Sequence, residues 1–380
     1  MIQAALLALL VSPLATHARV SEVVAVGIAR SVPRIRVRPH GKFSVIDQAT
    51  GEMKELESGK IYTVEGDEGK QVVFGPHLFM GPLRLLPGAP GQYVTVNNRK
   101  YGGNLVFQGN ADETITVIDE IDIEDYLLGV IPKEMSPSWP LEALKAQAVV
   151  ARTFALNNLG KYSEKGYDLR DDSISQMYAG LTSISPRVKR AVDETRGQTL
   201  FYAGKRLPTY FHSSCGGHTT DPQSVWGGPG KSPRPLRGVR DRYCRLSPHQ
   251  KWKAYFRTSD ILRVLQRRGL NAGRLDAMRK GTGSRSGYLA NIKLRLDRAW
   301  KVLSANKLRL WLGAAELKSV RIDKIRRRRK GFEFYGRGYG HGVGLCQWGT
   351  RAQAERGHDY ETILSFYFPG SHMRHEAALR

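Results

Sequence analysis

From residue 32 to about residue 119, short runs of β-branched and aromatic residues alternate with turn residues: IRVRPHGKFSVID, GKIYTVEG, KQVVFG, QYVTVNNRKYGGNLVFQG, ETITVIDEID. Turn signals at this close, regular spacing predict a meandering antiparallel sheet. Asn97-Asn98 and Tyr101-Gly102-Gly103 read as hairpin tips. The pattern then changes. Residues 123–131 read as an extended approach closed by Pro132, 135–139 as loop, and 140–159 as a helix, because a first helical residue tolerates proline's missing N–H. On a 3.6-residue wheel the apolar positions of this helix occupy nearly the whole circumference, with Leu144, Ala148, Ala151 and Ala155 on one side and Ala143, Val150 and Phe154 on the other. A helix apolar all round is a buried helix.

Two cations interrupt it. Lys145 and Arg152 are seven residues apart and lie inside the Leu144/Ala148/Ala155 stripe. Buried cations need anionic partners, and Glu134, on the loop just ahead, is the nearest in sequence. The plain reading is a structural salt bridge, since such pairs outnumber catalytic ones.

Downstream, the pattern predicts a helix over 185–196, a hairpin over 198–211 turning at Ala203-Gly204-Lys205, and a helix begun by Thr258-Ser259-Asp260 and ended by Gly269. A strand over 288–296, a short helix after Ser304 and a closing helix over 350–357 follow. Residues 246–313 read as an elaborated lobe. The basic run KIRRRRK, 324–330, falls between two extended stretches, 317–322 and 331–335, and predicts a solvated hairpin tip. Forty glycines and eighteen prolines among 380 residues, with few long helical periods, make the fold class α+β and β-rich.

The formal charge of +24 implies an anionic partner or surface. Lys and Arg are spread along the chain, however, without a helix-turn-helix, zinc-finger or RNP-type aromatic pattern, which argues against nucleic acid. Residues 2–14 are apolar and end near Thr16-His17-Ala18, so 1–18 resembles a secretory signal peptide, although a basic start is missing. That run is shorter than the roughly 20 residues of a membrane span. No transmembrane span is expected, and the chain reads as exported, to the periplasm or cell envelope.

Several blocks, in order, carry a family resemblance: IDIEDYLLGVIPKEM, SWPLEALKAQAVVARTFAL, DSISQMYAG, TRGQTL, YFHSSCGGHT, VWGG, LRGV and YGRGYGHGVGLCQWGTRAQAERGHDYETILSFYFPG. They run from about residue 121 to 370 and resemble the stage II sporulation protein D and amidase-enhancer family, which includes peptidoglycan lytic transglycosylases. The resemblance implies a strand-rich region over 19–120 ahead of a catalytic domain over 121–370. It implies that Glu134 is the catalytic acid. On this reading Lys145 and Arg152 bind lactyl or other acidic groups of peptidoglycan instead of Glu134. Ser175, Gln176 and Tyr178 would then meet sugar hydroxyls, where an Asx or Ser turn is the plainer account. His341 and Gln347, beside Trp348, would line a sugar groove.

Two accounts stand for the cysteine-bearing segment. Cys215 and Cys244 lie near His212 and His218, and C-x2-H is a workable ligand spacing on a turn. Family members resemble metal binders here, which implies structural zinc (Zn) through Cys215, His218 and Cys244, with His212 as the fourth ligand. The competing account is a Cys215–Cys244 disulfide, which an exported protein readily forms. Cys346 is assigned no chemistry. The function implied is cleavage of the MurNAc–GlcNAc β-1,4 link of peptidoglycan glycan strands, on denuded strands in particular, to a 1,6-anhydro product. The alternative is a non-catalytic activator of a cell-wall amidase or a glycan-binding protein.

Overall fold

The structure is a computed structural model and describes residues 22–181 and 184–376; the expected signal peptide, 1–18, lies outside them. Strands take 37% of the chain and helices 25%, so the expected β-rich α+β class holds.

The N-terminal region forms two sheets. The first orders seven strands Leu169–Arg170, Val23–Val32, Ile115–Asp122, Asn104–Gly109, Leu83–Pro87, Phe43–Asp47 and Met53–Leu56. All its pairings are antiparallel except that of Leu169–Arg170 with Val23–Val32. The second orders six strands Arg99–Tyr101, Tyr93–Val96, Arg34–His40, Tyr62–Gly66, Val72–Phe74 and His77–Phe79. Strand alternation sets their faces: in Arg34–His40, Ile35 and Val37 are buried while Arg34, Arg36 and Arg38 are exposed. Asn97 and Asn98, both at positive φ (45° and 66°), make the expected two-residue hairpin turn. Tyr101-Gly102-Gly103 does not. There the chain passes from the six-stranded sheet to the seven-stranded one, and Gly103 packs so tightly that a Cβ would lie 2.3 Å from Asp119 Oδ1.

Eight helices occur among the described residues: α1 Ile123–Glu134, α2 Leu141–Asn157, α3 Pro186–Glu194, α4 Pro222–Trp226, α5 Thr258–Gln266, α6 Ala305–Leu312, α7 Gln347–Ala354 and α8 Tyr360–Tyr367. The first corrects the extended reading of 123–131. Asp122 caps α1 by accepting hydrogen bonds from the N–H groups of Glu124 and Asp125. Pro132 removes one ladder bond in the last turn without stopping the helix. Helix α2 is buried along nearly its whole length, as its apolar wheel predicts, and packs against α1, α3, α7 and α8.

A second core, separate from that of the main body, gathers Trp252, Ile261, Leu265, Leu275, Tyr288, Ile292, Leu308, Phe332 and Phe334. The elaborated lobe therefore runs past residue 313. Its basic run reaches a hairpin tip but is mostly strand. Lys324–Arg328 belong to the strand Ile322–Arg328, the edge of a three-stranded sheet, and only Arg329 and Lys330 turn into the strand Gly331–Gly336. Charged side chains along an exposed edge keep it from pairing with another chain.

Candidate active site

Glu134 is the last residue of α1. Its half-buried carboxylate accepts one hydrogen bond, 2.9 Å from the backbone N–H of Met177 at Oε1. Among the described residues it forms no ion pair. Burial pushes its pKa above the ordinary carboxylate range, opposed by the Met177 N–H and by the carboxamide of Gln347. The helix C-terminus, the negative end of the macrodipole, also disfavours a carboxylate here. Gln347 opens α7 and is only 6% exposed; it lies beside Glu134, and its Nε2 makes no regular hydrogen bond. Trp139, on the loop after α1, meets Trp348 edge-to-face at 5.3 Å, and the Arg351 guanidinium stands over both rings at 5.4 and 5.1 Å. An acid whose pKa is raised by burial thus lies beside the amide of Gln347, and the next residue of α7, Trp348, meets Trp139 of the loop after α1.

The cations of α2 do not belong to this site. Arg152 forks onto Glu124 of α1, with Nε to Oε1 at 3.0 Å and Nη2 to Oε2 at 2.6 Å, and also donates to the Gln198 carbonyl. The two side chains are 1% and 6% exposed, a pair that no saccharide reaches. Lys145 bridges Glu142 at 2.8 Å and Glu194 at 2.6 Å. The expectation that these two bind substrate acids is corrected: each is neutralised within the fold, and neither touches Glu134.

The 171–180 segment is corrected in the same way. Ser175 Oγ accepts the Arg170 N–H, and buried Gln176 accepts from the Tyr126 hydroxyl at 3.1 Å and donates to the Ala151 carbonyl. The Tyr178 hydroxyl donates to Asp119 at 2.6 Å, and its ring packs against Gly129, where a Cβ would lie 2.5 Å away. Their polar groups face the protein, so Ser175, Gln176 and Tyr178 seat this segment against α1 and α2 and bring the Met177 N–H to Glu134.

His341 sits among Trp226, His212 and Tyr210, with ring centroids 5.2, 5.5 and 6.3 Å away. Its Nδ1 accepts the Val343 N–H. Burial first, then neighbouring His212, drives its pKa well below the usual imidazole value, so the ring is neutral and orders the glycine-interrupted loop. That loop lies close against the lobe, a Cβ on Gly342 falling 2.2 Å from the Tyr288 ring.

The proposed ligand set at the cysteines also changes. The structure draws Cys215, Asp241, Cys244 and Cys346 into one buried cluster, whose ligand atoms all lie within 4.8 Å of one another. His212 and His218 stand outside it: His212 Nδ1 bonds the Val343 carbonyl, and His218 Nδ1 the Thr219 carbonyl. The three cysteines are free thiols, with Cys215 and Cys244 Sγ 3.4 Å apart, not the disulfide of the competing account. Sequence reading missed Asp241 and Cys346. The D-x2-C spacing of Asp241 and Cys244 was a usable signal, while Cys346 is brought in by parallel pairing of Phe211-His212 with Leu345-Cys346. Trp139 and Glu124 also went unremarked.

A profile of the stage II sporulation protein family matches residues 111–202, which span α1, Glu134, α2 and the 171–180 segment. An uncharacterised protein of Brachyspira hyodysenteriae is 35% identical over 279 residues, 73% of each chain. The chain belongs to the stage II sporulation protein family. Within it, the amidase enhancer of Bacillus subtilis is 27% identical over 361 residues, 83% of this chain and 50% of the enhancer, so this chain spans half of that relative's length. Stage II sporulation protein D of the same organism is 28% identical over 270 residues, 67% of this chain and 75% of that protein. Membership ties the chain to cell-wall processing. No helix among the described residues is long and apolar enough to cross a membrane.

Proposed function

We propose that this family member is an exported lytic transglycosylase of peptidoglycan, acting at the cell envelope on the β-1,4 link between N-acetylmuramic acid and N-acetylglucosamine. The observation that carries this is Glu134: a carboxyl raised above its ordinary pKa by burial, beside the amide of Gln347 and, among the described residues, free of any ion pair. Hydrolytic glycosidases pair two carboxylates across the bond. No charged neighbour contributes to the Glu134 shift, and Asp171 and Asp172 are held by Arg30 at 2.6 and 2.9 Å.

One carboxyl suffices if the sugar supplies its own nucleophile. Protonated Glu134 gives its proton to the glycosidic oxygen as the C1–O bond breaks. The resulting carboxylate takes the proton of the muramic acid C6 hydroxyl as O6 closes on C1, which forms the 1,6-anhydro ring and regenerates the acid. No water is consumed. Gln347, whose carboxamide lies beside Glu134 and makes no regular hydrogen bond through Nε2, is placed to hold a substrate hydroxyl or to steady the transient carboxylate.

Digestion of denuded and peptide-bearing glycan strands in water labelled with oxygen-18 tests this. Anhydro-ended products without label are expected by mass spectrometry, whereas labelled reducing ends would show hydrolysis. A second reading, a non-catalytic activator of a cell-wall amidase, is favoured by the likeness to an amidase enhancer over 83% of the chain. It requires stimulation of an amidase by a protein that cleaves no glycan.

The pH profile gives a further check. The acid form of Glu134 starts the reaction, so activity falls as pH rises through its raised pKa. Because Gln347 lowers that pKa, Gln347→Ala should move the basic limb of kcat/KM to higher pH while reducing kcat. An unmoved limb would detach Gln347 from the acid.

A further inference from the structure

The positive charge of the chain is concentrated in the lobe. Residues 251–336 hold 24 of the 59 Lys and Arg but six of the 35 Asp and Glu, a net +18 of the chain's +24. Like charges packed this densely repel one another and oppose compaction, and the field they make attracts an anionic partner.

Strand register shows where the cations stand. Two three-stranded sheets share the second core: Trp252–Arg257, Gly331–Gly336 and Ile322–Arg328 in one, Leu275–Lys280, Asn291–Leu296 and Ala299–Ser304 in the other. Ala254, Phe332, Phe334, Ile292 and Leu294 point into that core, where α5 and α6 pack against the strands. Cross-strand partners share a face, so the outer side of the second sheet carries Arg279, Lys293 and Val302 in one row and Arg295 with Trp300 in the next. No carboxylate stands in either row. The outer side of the first sheet carries Lys253, Tyr335 and Lys324 in one row and Tyr255, Glu333 and Arg326 in the next. Its Glu333 is already bridged by Lys253 at 2.8 Å and Arg328 at 2.6 Å, so Lys324 and Arg326 have no ion pair among the described residues.

The two sheets adjoin. Lys280 Nζ donates to the Asp323 carbonyl at 2.9 Å, and the Arg327 guanidinium donates to the carbonyls of Leu275 and Asp276. Six strands side by side make an open surface roughly 25 Å across, at about 4.8 Å per strand. On it, Val302 is 65% and Trp300 43% exposed, with the Arg279 guanidinium 5.2 Å over the indole. A soluble polyanion would use the cations and leave Val302 without a role. A bilayer interface uses both kinds of side chain, because apolar groups enter the headgroup boundary while Lys and Arg meet the phosphates.

We propose that this outer face of the lobe docks on the headgroups of an anionic lipid bilayer, with Trp300 and Val302 entering the interface and Arg279, Lys293 and Arg295 meeting lipid phosphates. The assignment goes beyond the transglycosylase reading and does not depend on it.

The full chain should sediment with vesicles of three parts phosphatidylcholine to one part phosphatidylglycerol at about 0.1 M salt, and less as salt screens the charges. Vesicles of phosphatidylcholine alone should leave it in solution. Each cation near such a surface strengthens binding about fivefold, so Arg279→Gln, Lys293→Gln and Arg295→Gln together should weaken it about 10²-fold with Tm unchanged. Should that triple variant melt early, Lys293→Glu alone, at an exposed position outside any ion pair, should still weaken binding at wild-type Tm. Brominated acyl chains should quench the indole fluorescence of the wild type more than that of Trp300→Phe. Absence of binding to the anionic vesicles, or undiminished binding by the charge variants, would overturn the assignment. Tighter binding of polyphosphate or single-stranded nucleic acid, with quenching unchanged by Trp300→Phe, would overturn it in favour of a soluble polyanion.

Discussion

Glu134→Gln should lower glycan cleavage by about 10²- to 10⁴-fold, the usual worth of a positioned general acid–base. The amide is nearly isosteric and its oxygen can still accept the Met177 N–H at the position now 2.9 Å away. Thermal stability should therefore stay close to wild type or rise slightly, because a group held at a raised pKa carries a cost in its charged form that the amide does not share. The measurement is release of anhydro-ended fragments from denuded strands beside a thermal melt of the same preparation. Undiminished product from a well-folded Glu134→Gln protein would remove this side chain from the reaction. Undiminished stimulation of an amidase by that variant would show that any activating role is separate from the acid.

Arg152→Ala should be strongly destabilising, because it orphans a buried partner between α2 and α1. The guanidinium and Glu124 are 1% and 6% exposed, and Glu124 also accepts the Gly197 N–H. Removing one partner of a buried pair leaves an uncompensated charge and costs about 3–5 kcal/mol. Replacing both, as in Arg152→Met with Glu124→Gln, should recover much of that loss, because the penalty comes from the orphaned charge more than from loss of the attraction. Denaturant titration measures both. Added salt should change little, since counter-ions screen buried pairs only weakly. A variant with normal stability and a raised KM would instead return Arg152 to the substrate.

The buried helix was legible because its apolar positions leave no solvent face, so Ala143 through Ala155 required packing on all sides whatever the neighbours were. Hairpin turns at Asn97-Asn98 and Ala203-Gly204 were legible because positive φ selects a short list of residues locally. Helix α1 was misread because the apolar run over residues 126–131 before a proline fits a buried strand as well as a buried helix. Only the Asp122 cap and the packing against α2 separate the two.

Polar residues divided along the same line. Glu134 was singled out by the block that surrounds it, and its lack of an ion pair with Lys145 or Arg152 depends on Glu124, Glu142 and Glu194 being nearer in space. Ser175, Gln176 and Tyr178 carry the right groups for sugars, and sequence says nothing about which way they point. Once the segment is laid against α1 and α2, their hydrogen bonds are taken up by protein, and the backbone of Met177 becomes the group that meets the acid.

What the sequence by itself determined is the α+β class, the interior helix and the family. Each of these is written in local periodicity or in contiguous blocks of text. Tertiary structure alone decided which charges cancel, which way the polar side chains of 171–180 face, and that Cys346 joins Cys215, Asp241 and Cys244. Those outcomes depend on distances between residues up to 131 positions apart, and electrostatic and hydrogen-bond partners are chosen by proximity after folding, a quantity that spacing along the chain does not encode.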